Sequence, residues 1–137
     1  MYIAVDFEGT CVTHDYPEVG KDIGAVPVLK ALVDNGHHII LNTMRDSNEL
    51  EDAKKWFANN GIKLFGANHN PTQSGWTTSP KVYAQLYIDD AAMGCFLCYN
   101  PELSNRPYVN WKETASYLHA RGLINYEQYS EIMKSYA

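Results

Sequence analysis

The sequence predicts an α/β domain in which helices cover both faces of a central parallel sheet. Short apolar stretches alternate with amphipathic stretches along the chain, and this alternation is typical of parallel strands joined by helices. The first apolar stretch, residues 2–6, is apolar on both faces, as expected for a central parallel strand. The chain has 137 residues, of which 45% are hydrophobic and 20% charged, enough for one core of two or three layers. We therefore predict one domain over residues 1–137.

Turn and helix signals follow the first strand. Residues 11–24 are polar and contain one proline and two glycines, which predicts a loop or short hairpin. A helix is predicted to begin near Pro27, since proline suits a first-turn position, and to end at the Asn-Gly pair 35–36. The second strand is predicted at 37–43. These elements form the first strand–helix–strand unit.

A second helix is predicted for residues 46–61. Asp46 with Glu49 three residues later is a capping-box-like pair, apolar side chains line one face, and a glycine ends the stretch. The polar segment 68–80 is too long to be a plain connector. The remaining predicted elements are strands at 62–67 and 84–90, a candidate fifth strand at 95–99, and helices at 109–121 and 126–136.

Charge and cysteine content narrow the classes of function. The net charge of -5 and the pI near 5.4 argue against nucleic-acid binding, because no basic stripe is present to displace counterions. No apolar run is long enough for a membrane span and the N-terminus lacks signal-peptide features, so we expect a cytoplasmic protein without membrane contact. Cys95 and Cys98 lie in an apolar context without a second ligand pair, which favours small buried cysteines over a redox or zinc site.

Polar side chains collect where the predicted strands end. Because the carboxyl ends of parallel strands meet at one edge of a sheet, these residues are expected to converge although they are distant in sequence. Several carboxylates in one crevice repel each other, and a hard divalent cation such as magnesium relieves that repulsion. A lysine and a threonine hydroxyl are suitable partners for phosphoryl oxygens. The residues of this set are Asp6, Glu8, Thr43, Lys81, Asp89 and Asp90.

Four short motifs in this set follow the order found in the haloacid dehalogenase superfamily. "VDFEGT" resembles its first motif, an apolar strand ending in D-x-D-G-T, and "IILNT" resembles its second. Lys81 in "SPKVYAQ" resembles the third motif, and "LYIDD" the fourth. The resemblance covers a motif-bearing core, residues 1–92, followed by a C-terminal strand and helices at 93–137. It implies a Rossmann-like three-layer sandwich without a cap domain, since the intervals between the motifs are used up by predicted elements.

The resemblance implies a magnesium-dependent phosphohydrolase and assigns roles to the matching residues. Asp6 would be the nucleophile and would form an aspartyl-phosphate that water hydrolyses. Magnesium would be held by the side chain of Asp6 and by that of Asp89 or Asp90. The backbone carbonyl of Glu8 would complete the protein's metal ligands.

The substrate contacts follow from the same resemblance. Thr43 and Lys81 would bind the phosphoryl oxygens, and Lys81 would also neutralise developing charge. Gly9 and Thr10 complete the first motif and are expected beside the phosphoryl group. Arg45, two residues past Thr43, could reach a second anionic group of the substrate.

Glu8 stands where phosphatases of this superfamily have an aspartate, which protonates the leaving group and then activates water. The longer side chain displaces the carboxyl, and a displacement of about an ångström can cost about a hundredfold in rate. One interpretation is that Glu8 still acts from an adjusted loop, which gives a slow or selective phosphatase. The other is a module that binds or sequesters a phosphorylated ligand without efficient turnover. The sequence leaves both open.

An uncapped site is open to solvent, which suits a large substrate or a small one enclosed by a second copy in a homo-oligomer. The acidic net charge favours a small phosphorylated metabolite, such as a sugar phosphate or a nucleotide. Two loops could supply specificity. His14 lies in the loop 11–24, and Trp76 lies in the polar segment 68–80, where it either stacks on substrate or pins the segment to the core.

Overall fold

The computed structural model, which describes residues 1–137, has a four-stranded parallel sheet at its centre. The strands lie in the order β3-β2-β1-β4, so β1 pairs with β2 on one side and with β4 on the other. The predicted α/β class with a central parallel sheet is confirmed. The strands are β1 (Tyr2–Val5), β2 (His38–Leu41), β3 (Leu64–Ala67) and β4 (Leu86–Ile88).

Four α-helices form at the predicted places, within a few residues of the predicted ends. Asn110 and Asn125 each cap a helix by accepting a hydrogen bond from a backbone N–H of its first turn, and Asn125 forms a full capping box with Gln128. Between β3 and β4 only a short 3₁₀ helix, Gln73–Gly75, is present. The α-helices are α1 (Ala25–Asp34), α2 (Ser47–Asn59), α3 (Trp111–Ala120) and α4 (Tyr126–Ser135).

The capping box predicted for α2 is wrong. Asp46 precedes the helix, but its side chain makes no hydrogen bond to the helix backbone. Ser47, the first helical residue, has φ of 50°, a left-handed conformation that separates Asp46 from the regular first turn. The start of α2 is held instead by its neighbour Arg45, whose guanidinium donates to the Glu49 carbonyl at 3.0 Å.

The helices all pack on one face of the sheet, which corrects the expectation of helices on both faces. Alternate strand residues such as Ile3 and Ile39 share one core cluster with buried residues of α1, α2, α3 and α4. The opposite face, at Ala4 and Ile40, contacts Val82 of the β3–β4 connection. This second face is therefore covered by an irregular segment rather than by a helix.

Buried side-chain amides explain why the β3–β4 connection is ordered without a helix. Asn70 is fully buried and donates to the Tyr83 carbonyl at 2.9 Å. Gln73 donates to the Lys81 carbonyl at 2.6 Å and accepts from the Tyr83 backbone N–H at 2.9 Å. These bonds take the place of helical backbone bonds, and a hydrophobic pattern alone does not predict them.

The predicted fifth strand is only partly present and does not join the main sheet. It shortens to β5 (Leu97–Cys98), which pairs antiparallel with β6 (Tyr108–Val109), a strand that was not predicted. β4 is therefore an edge strand of the parallel sheet. None of the helices is long and apolar enough to cross a membrane.

The C-terminal part of the chain is tied to the turn after β1. Val109 donates its backbone N–H to the Gly9 carbonyl at 2.8 Å, and the indole N–H of Trp111 donates to the Thr10 carbonyl at 2.7 Å. Trp111 is buried, so this contact is shielded from solvent. The turn that carries the first motif is therefore positioned by residues about a hundred positions further along the chain.

Candidate functional site

Three carboxylates meet at the carboxyl ends of two neighbouring strands, the central β1 and the edge strand β4. Asp6 directly follows β1, and Asp89 and Asp90 directly follow β4, where Val5 and Ile88 are partners in register. Each of the three aspartates has an oxygen that lies within 4.8 Å of those of the other two. The strand pairing thus brings together side chains that are more than eighty positions apart in the sequence.

Thr10 holds two of these carboxylates in place. Its side chain is fully buried, and its hydroxyl lies 3.1 Å from an Asp6 carboxylate oxygen, to which it donates. The same hydroxyl oxygen accepts from the backbone N–H of Asp90 at 3.1 Å. The expected substrate contact of Thr10 is therefore not what the geometry gives. Thr10 orients the carboxylates instead.

No lysine or arginine side chain forms an ion pair with the three aspartates. Burial, and after it the neighbouring Asp89 carboxylate, raise the pKa of Asp6 to about 8. The Glu8 carbonyl oxygen nearby accepts no hydrogen bond within the protein. Carboxylate and carbonyl oxygens are the ligands that magnesium and calcium prefer, so the residues present fit a hard divalent cation.

Gly9 allows the turn to pass close to the carboxylates. Its φ is 75°, and a β-carbon there would lie 2.2 Å from His14 Nε2 and 2.5 Å from an Asp90 oxygen. Its own N–H donates to the Val12 carbonyl and its own carbonyl accepts from Val109, so neither backbone group is available to a substrate. The expected contact of Gly9 with substrate is therefore replaced by a steric role.

His14 lies beside the carboxylates, as the sequence predicts for a residue at the site. Its Nε2 is 3.2 Å from an Asp90 carboxylate oxygen and 3.3 Å from the Pro107 carbonyl. The two contacts link the loop 11–24 to the edge that carries the aspartates and to the segment before β6. Whether His14 contacts substrate remains a prediction.

The side chain of Glu8 pairs with Arg45 and is not among the clustered carboxylates. The guanidinium Nε of Arg45 donates to Glu8 Oε1. The Arg45 side chain is only 1% exposed, whereas that of Glu8 is 18% exposed. The charge of Glu8 is therefore matched by a cation from the protein interior. Glu8 is therefore not one of the carboxylates in the cluster of Asp6, Asp89 and Asp90.

Arg45 has a different environment from the one expected of a substrate contact. Its remaining terminal nitrogens donate to the Glu49 carbonyl at 3.0 Å and to the Glu18 carbonyl at 2.7 Å. The guanidinium also lies between the rings of Phe7 and Tyr16, 5.0 and 5.2 Å from their centroids. Because these groups are engaged inside the protein, the expected contact of Arg45 with a second anionic group of the substrate is not supported.

Thr43 lies at the carboxyl end of the sheet, as predicted, but Lys81 does not reach the carboxylates. The Thr43 hydroxyl oxygen accepts from the Arg45 backbone N–H at 3.1 Å, and its proton is left for another acceptor. Lys81 is exposed and forms no ion pair, and its ammonium nitrogen lies 5.5 Å from the centre of the Tyr87 ring. The segment that carries Lys81 follows the irregular path set by Gln73, which no motif predicts.

Trp76 lies near the amino ends of the strands, away from the carboxylates. Its ring packs edge-on against Tyr83 at 5.2 Å, and Tyr83 packs against Tyr2 at the start of β1. The expected contact with substrate is therefore not supported. The alternative interpretation, in which Trp76 pins its segment to the body of the protein, matches the observed contacts.

A crevice of about 470 Å³ adjoins the carboxylates and includes residues that the sequence did not single out. Tyr16 comes from the loop 11–24, and Asn105 and Arg106 come from the segment before β6. No local sequence signal marks the latter two, because their approach depends on the contact of Pro107 with His14 and on that of Val109 with Gly9. The crevice is lined by Glu8, His14, Tyr16, Met44, Arg45, Asn105 and Arg106.

Comparison with known proteins gives one informative match. No protein-family model matches the chain, and no curated protein matches it. The chain is similar to a solved structure of a conserved protein from Bacteroides thetaiotaomicron, with 30% sequence identity and a TM-score of 0.71. The match covers 93% of this chain and 95% of that one.

Proposed function

The chain belongs to the same family as the conserved Bacteroides thetaiotaomicron protein, and we propose that it is a cytoplasmic, magnesium-dependent phosphohydrolase with a fold and mechanism like those of the haloacid dehalogenase superfamily. Its substrate is a small phosphorylated metabolite. The observation that carries the proposal is the meeting of Asp6, Asp89 and Asp90 at the carboxyl edge of β1 and β4. The match to the four-motif order supports it, because that order places these residues at one edge.

Asp6 is the nucleophile in this proposal. One of its oxygens accepts from Thr10, which orients the carboxylate and leaves the other oxygen to attack phosphorus. Asp6, Asp89 or Asp90, and the Glu8 carbonyl would hold magnesium, which would offset the charge of the carboxylates and of the phosphoryl group. Attack forms an aspartyl-phosphate and releases the alcohol, and water then hydrolyses the aspartyl-phosphate.

Glu8 limits the rate of this reaction. In its pairing with Arg45, the Glu8 carboxylate must leave a buried cation before it can exchange a proton with the leaving group or with water. Loss of general acid–base help costs about 10²–10⁴-fold in rate. The proposal is therefore of a slow or selective enzyme.

A second candidate function is a module that binds a phosphorylated ligand without efficient turnover. The engagement of Glu8 with Arg45 favours it, and so does the position of Lys81, which makes no ion pair with the aspartates. In this case magnesium and phosphate bind at the three aspartates, but no phosphate is released.

Phosphate release from p-nitrophenyl phosphate and from a panel of sugar phosphates and nucleotides distinguishes the two. For the phosphohydrolase, wild-type protein releases phosphate only with magnesium, and Asp6→Asn abolishes release. For the binding module, wild-type protein shows saturable ligand binding with magnesium and releases no phosphate. Activity that persists in Asp6→Asn would contradict the assigned nucleophile.

A further inference from the structure

We propose that Arg106 binds a second anionic group of the substrate, so that the preferred substrates carry a phosphate or carboxylate in addition to the phosphoryl group that is transferred. This inference rests on the proposed function, because it assigns the rest of the same site. Arg106 takes the role that the sequence suggested for Arg45.

Arg106 is held next to the site by contacts on its C-terminal side. The carbonyl of Pro107, the next residue, is 3.3 Å from His14 Nε2, which is itself 3.2 Å from an Asp90 oxygen. Two residues further on, Val109 donates to the Gly9 carbonyl at 2.8 Å. The backbone that carries Arg106 is thus fixed to the turn that holds the carboxylates.

The charge of Arg106 is not used by the protein. Arg106 is exposed, and the ion pairs of the lysine and arginine side chains are formed by Arg45, Lys54 and Lys134 without it. Glu8 and Asp90 line or border the same crevice, but their partners are Arg45 and His14. The guanidinium therefore remains available to a ligand. Its fork of N–H donors matches the oxygens of a phosphate or carboxylate.

The crevice between Arg106 and Glu8 fits a small molecule. Its volume of about 470 Å³ lies within the range of about 300–1,000 Å³ that is usual for small-molecule sites. The other guanidinium of the lining, that of Arg45, is engaged with Glu8 and with two backbone carbonyls, so Arg106 is the guanidinium left for a second anion. A substrate with two anionic groups therefore gains most from Arg106, whereas a substrate with one has only its transferred phosphoryl group to place.

The test compares matched substrates in the presence of magnesium. Glucose 1,6-bisphosphate and glucose 6-phosphate differ by one phosphate, and 3-phosphoglycerate and glycerol 3-phosphate differ by one carboxylate. We expect wild-type kcat/KM to favour the two-anion member of at least one pair, and Arg106→Ala to reduce that preference about tenfold or more, as for a lost charge-assisted hydrogen bond. The pair that responds identifies the second anion as phosphate or carboxylate.

Two further variants make the result specific. Arg106→Lys keeps the charge and is expected to retain part of the preference. Arg121→Ala removes a guanidinium that lies 5.7 Å from the Tyr117 ring on α3, outside the crevice, and is expected to keep the wild-type preference. The proposal is overturned if wild-type protein prefers neither two-anion substrate, if Arg106→Ala lowers kcat/KM equally for both members of each pair, or if Arg121→Ala has the same effect.

Calorimetric binding of the same four compounds separates this inference from the proposed function. Binding that prefers two anions and depends on Arg106, without phosphate release, supports the subsite and contradicts the phosphohydrolase. Phosphate release without an Arg106-dependent preference supports the phosphohydrolase and overturns the subsite. The absence of both binding and release contradicts both.

Discussion

Residue 8 links the chemistry of the candidate site to the stability of the protein. Its backbone carbonyl accepts no hydrogen bond within the protein, while its side chain pairs with the buried guanidinium of Arg45. An aspartate at this position would place its carboxyl for acid–base catalysis in the proposed mechanism, but that carboxyl would lie further from Arg45. Activity and stability are therefore expected to change in opposite directions when this side chain is shortened to aspartate.

We predict that Glu8→Asp raises kcat about 10–100-fold and lowers the melting temperature. The gain follows from shortening the side chain to the acid that the proposed haloacid dehalogenase-like mechanism uses, and the loss follows from weakening the pair with Arg45. Phosphate release and thermal unfolding measure the two effects. Glu8→Gln keeps the length but cannot transfer a proton, so it should lower both quantities. A kcat for Glu8→Asp at or below the wild-type value would contradict this account of residue 8.

Asp6 makes the stability of the metal-free protein depend on pH. Folding raises the pKa of its carboxyl from the ordinary value of 3.8 to about 8, chiefly through burial. The native state therefore binds a proton more tightly than the unfolded state, and this stabilisation is lost as the pH rises from about 4 to about 8. With EDTA, the melting temperature should fall across this window, and Asp6→Asn should reduce the fall.

Magnesium should reverse that loss. The cation binds the ionised form of Asp6, so at about pH 8 it should raise the melting temperature of the wild-type protein, and Asp6→Asn should lose most of that increase. Calorimetric melts with and without magnesium at about pH 5 and about pH 8 provide the measurement. A wild-type melting temperature that magnesium leaves unchanged at about pH 8 would show that the aspartates do not hold the cation.

At the level of elements, α3 positions the turn that carries Asp6. The indole of Trp111 donates to the Thr10 carbonyl, and the Thr10 hydroxyl donates to Asp6. We predict that Trp111→Phe lowers the free energy of unfolding by about 1–3 kcal/mol, because a buried carbonyl loses its partner. It should also weaken magnesium binding, since Thr10 is less firmly held. Denaturant unfolding and calorimetry test the two effects.

Trp76→Phe is the matched control for that substitution. It makes the same chemical change at a tryptophan that is 63% exposed and lies away from the carboxylates. A surface substitution of this kind is expected to change the free energy of unfolding by less than about 0.5 kcal/mol. Equal effects of the two substitutions on magnesium affinity would refute the link from α3 to Asp6.

The elements that the sequence predicts correctly are those with a local signal. β1 and β2 are short apolar runs, and α1 and α2 show apolar side chains at helical spacing, so their positions could be predicted from neighbouring residues alone. The connection between β3 and β4 could not, because buried amides of Asn70 and Gln73 bind backbone groups further along the chain. Side-chain bonds of this kind leave no periodic pattern.

The features of the candidate site can likewise be separated into those that the sequence predicts and those that it does not. The meeting of Asp6 with Asp89 and Asp90 follows from parallel strands whose ends share an edge, so the sequence predicts it. The hydrogen bond between the side chains of Glu8 and Arg45 could not be predicted, because it depends on the direction of a side chain. Arg106 was missed for another reason: it reaches the crevice through contacts between segments about a hundred positions apart.

At the scale of the whole molecule, Arg45 connects three parts of the chain. It binds Glu8 in the first-motif turn, the Glu18 carbonyl in the loop 11–24 and the Glu49 carbonyl in α2. We predict that Arg45→Ala lowers the free energy of unfolding by about 2–4 kcal/mol, somewhat less than for a fully buried pair because Glu8 keeps some contact with solvent. Denaturant unfolding measures it.

Arg121→Ala provides the comparison for Arg45. Its guanidinium packs on a single tyrosine ring at the end of α3, so the expected change is within about 0.5 kcal/mol. If Arg45→Ala costs no more than Arg121→Ala, Arg45 does not hold the three segments together.

The sheet as a whole places its helices on one face and its candidate chemistry at the carboxyl edge, with Asp6 at the end of the central strand β1. In the proposed reaction, Asp6 attacks the phosphoryl group. Acid quenching during turnover, reduction with borohydride and peptide mass spectrometry test it directly, because reduction converts an aspartyl-phosphate to homoserine. We predict homoserine at position 6 in the wild-type protein. Phosphate release without any modification at position 6, or with modification of another carboxylate, would contradict the account.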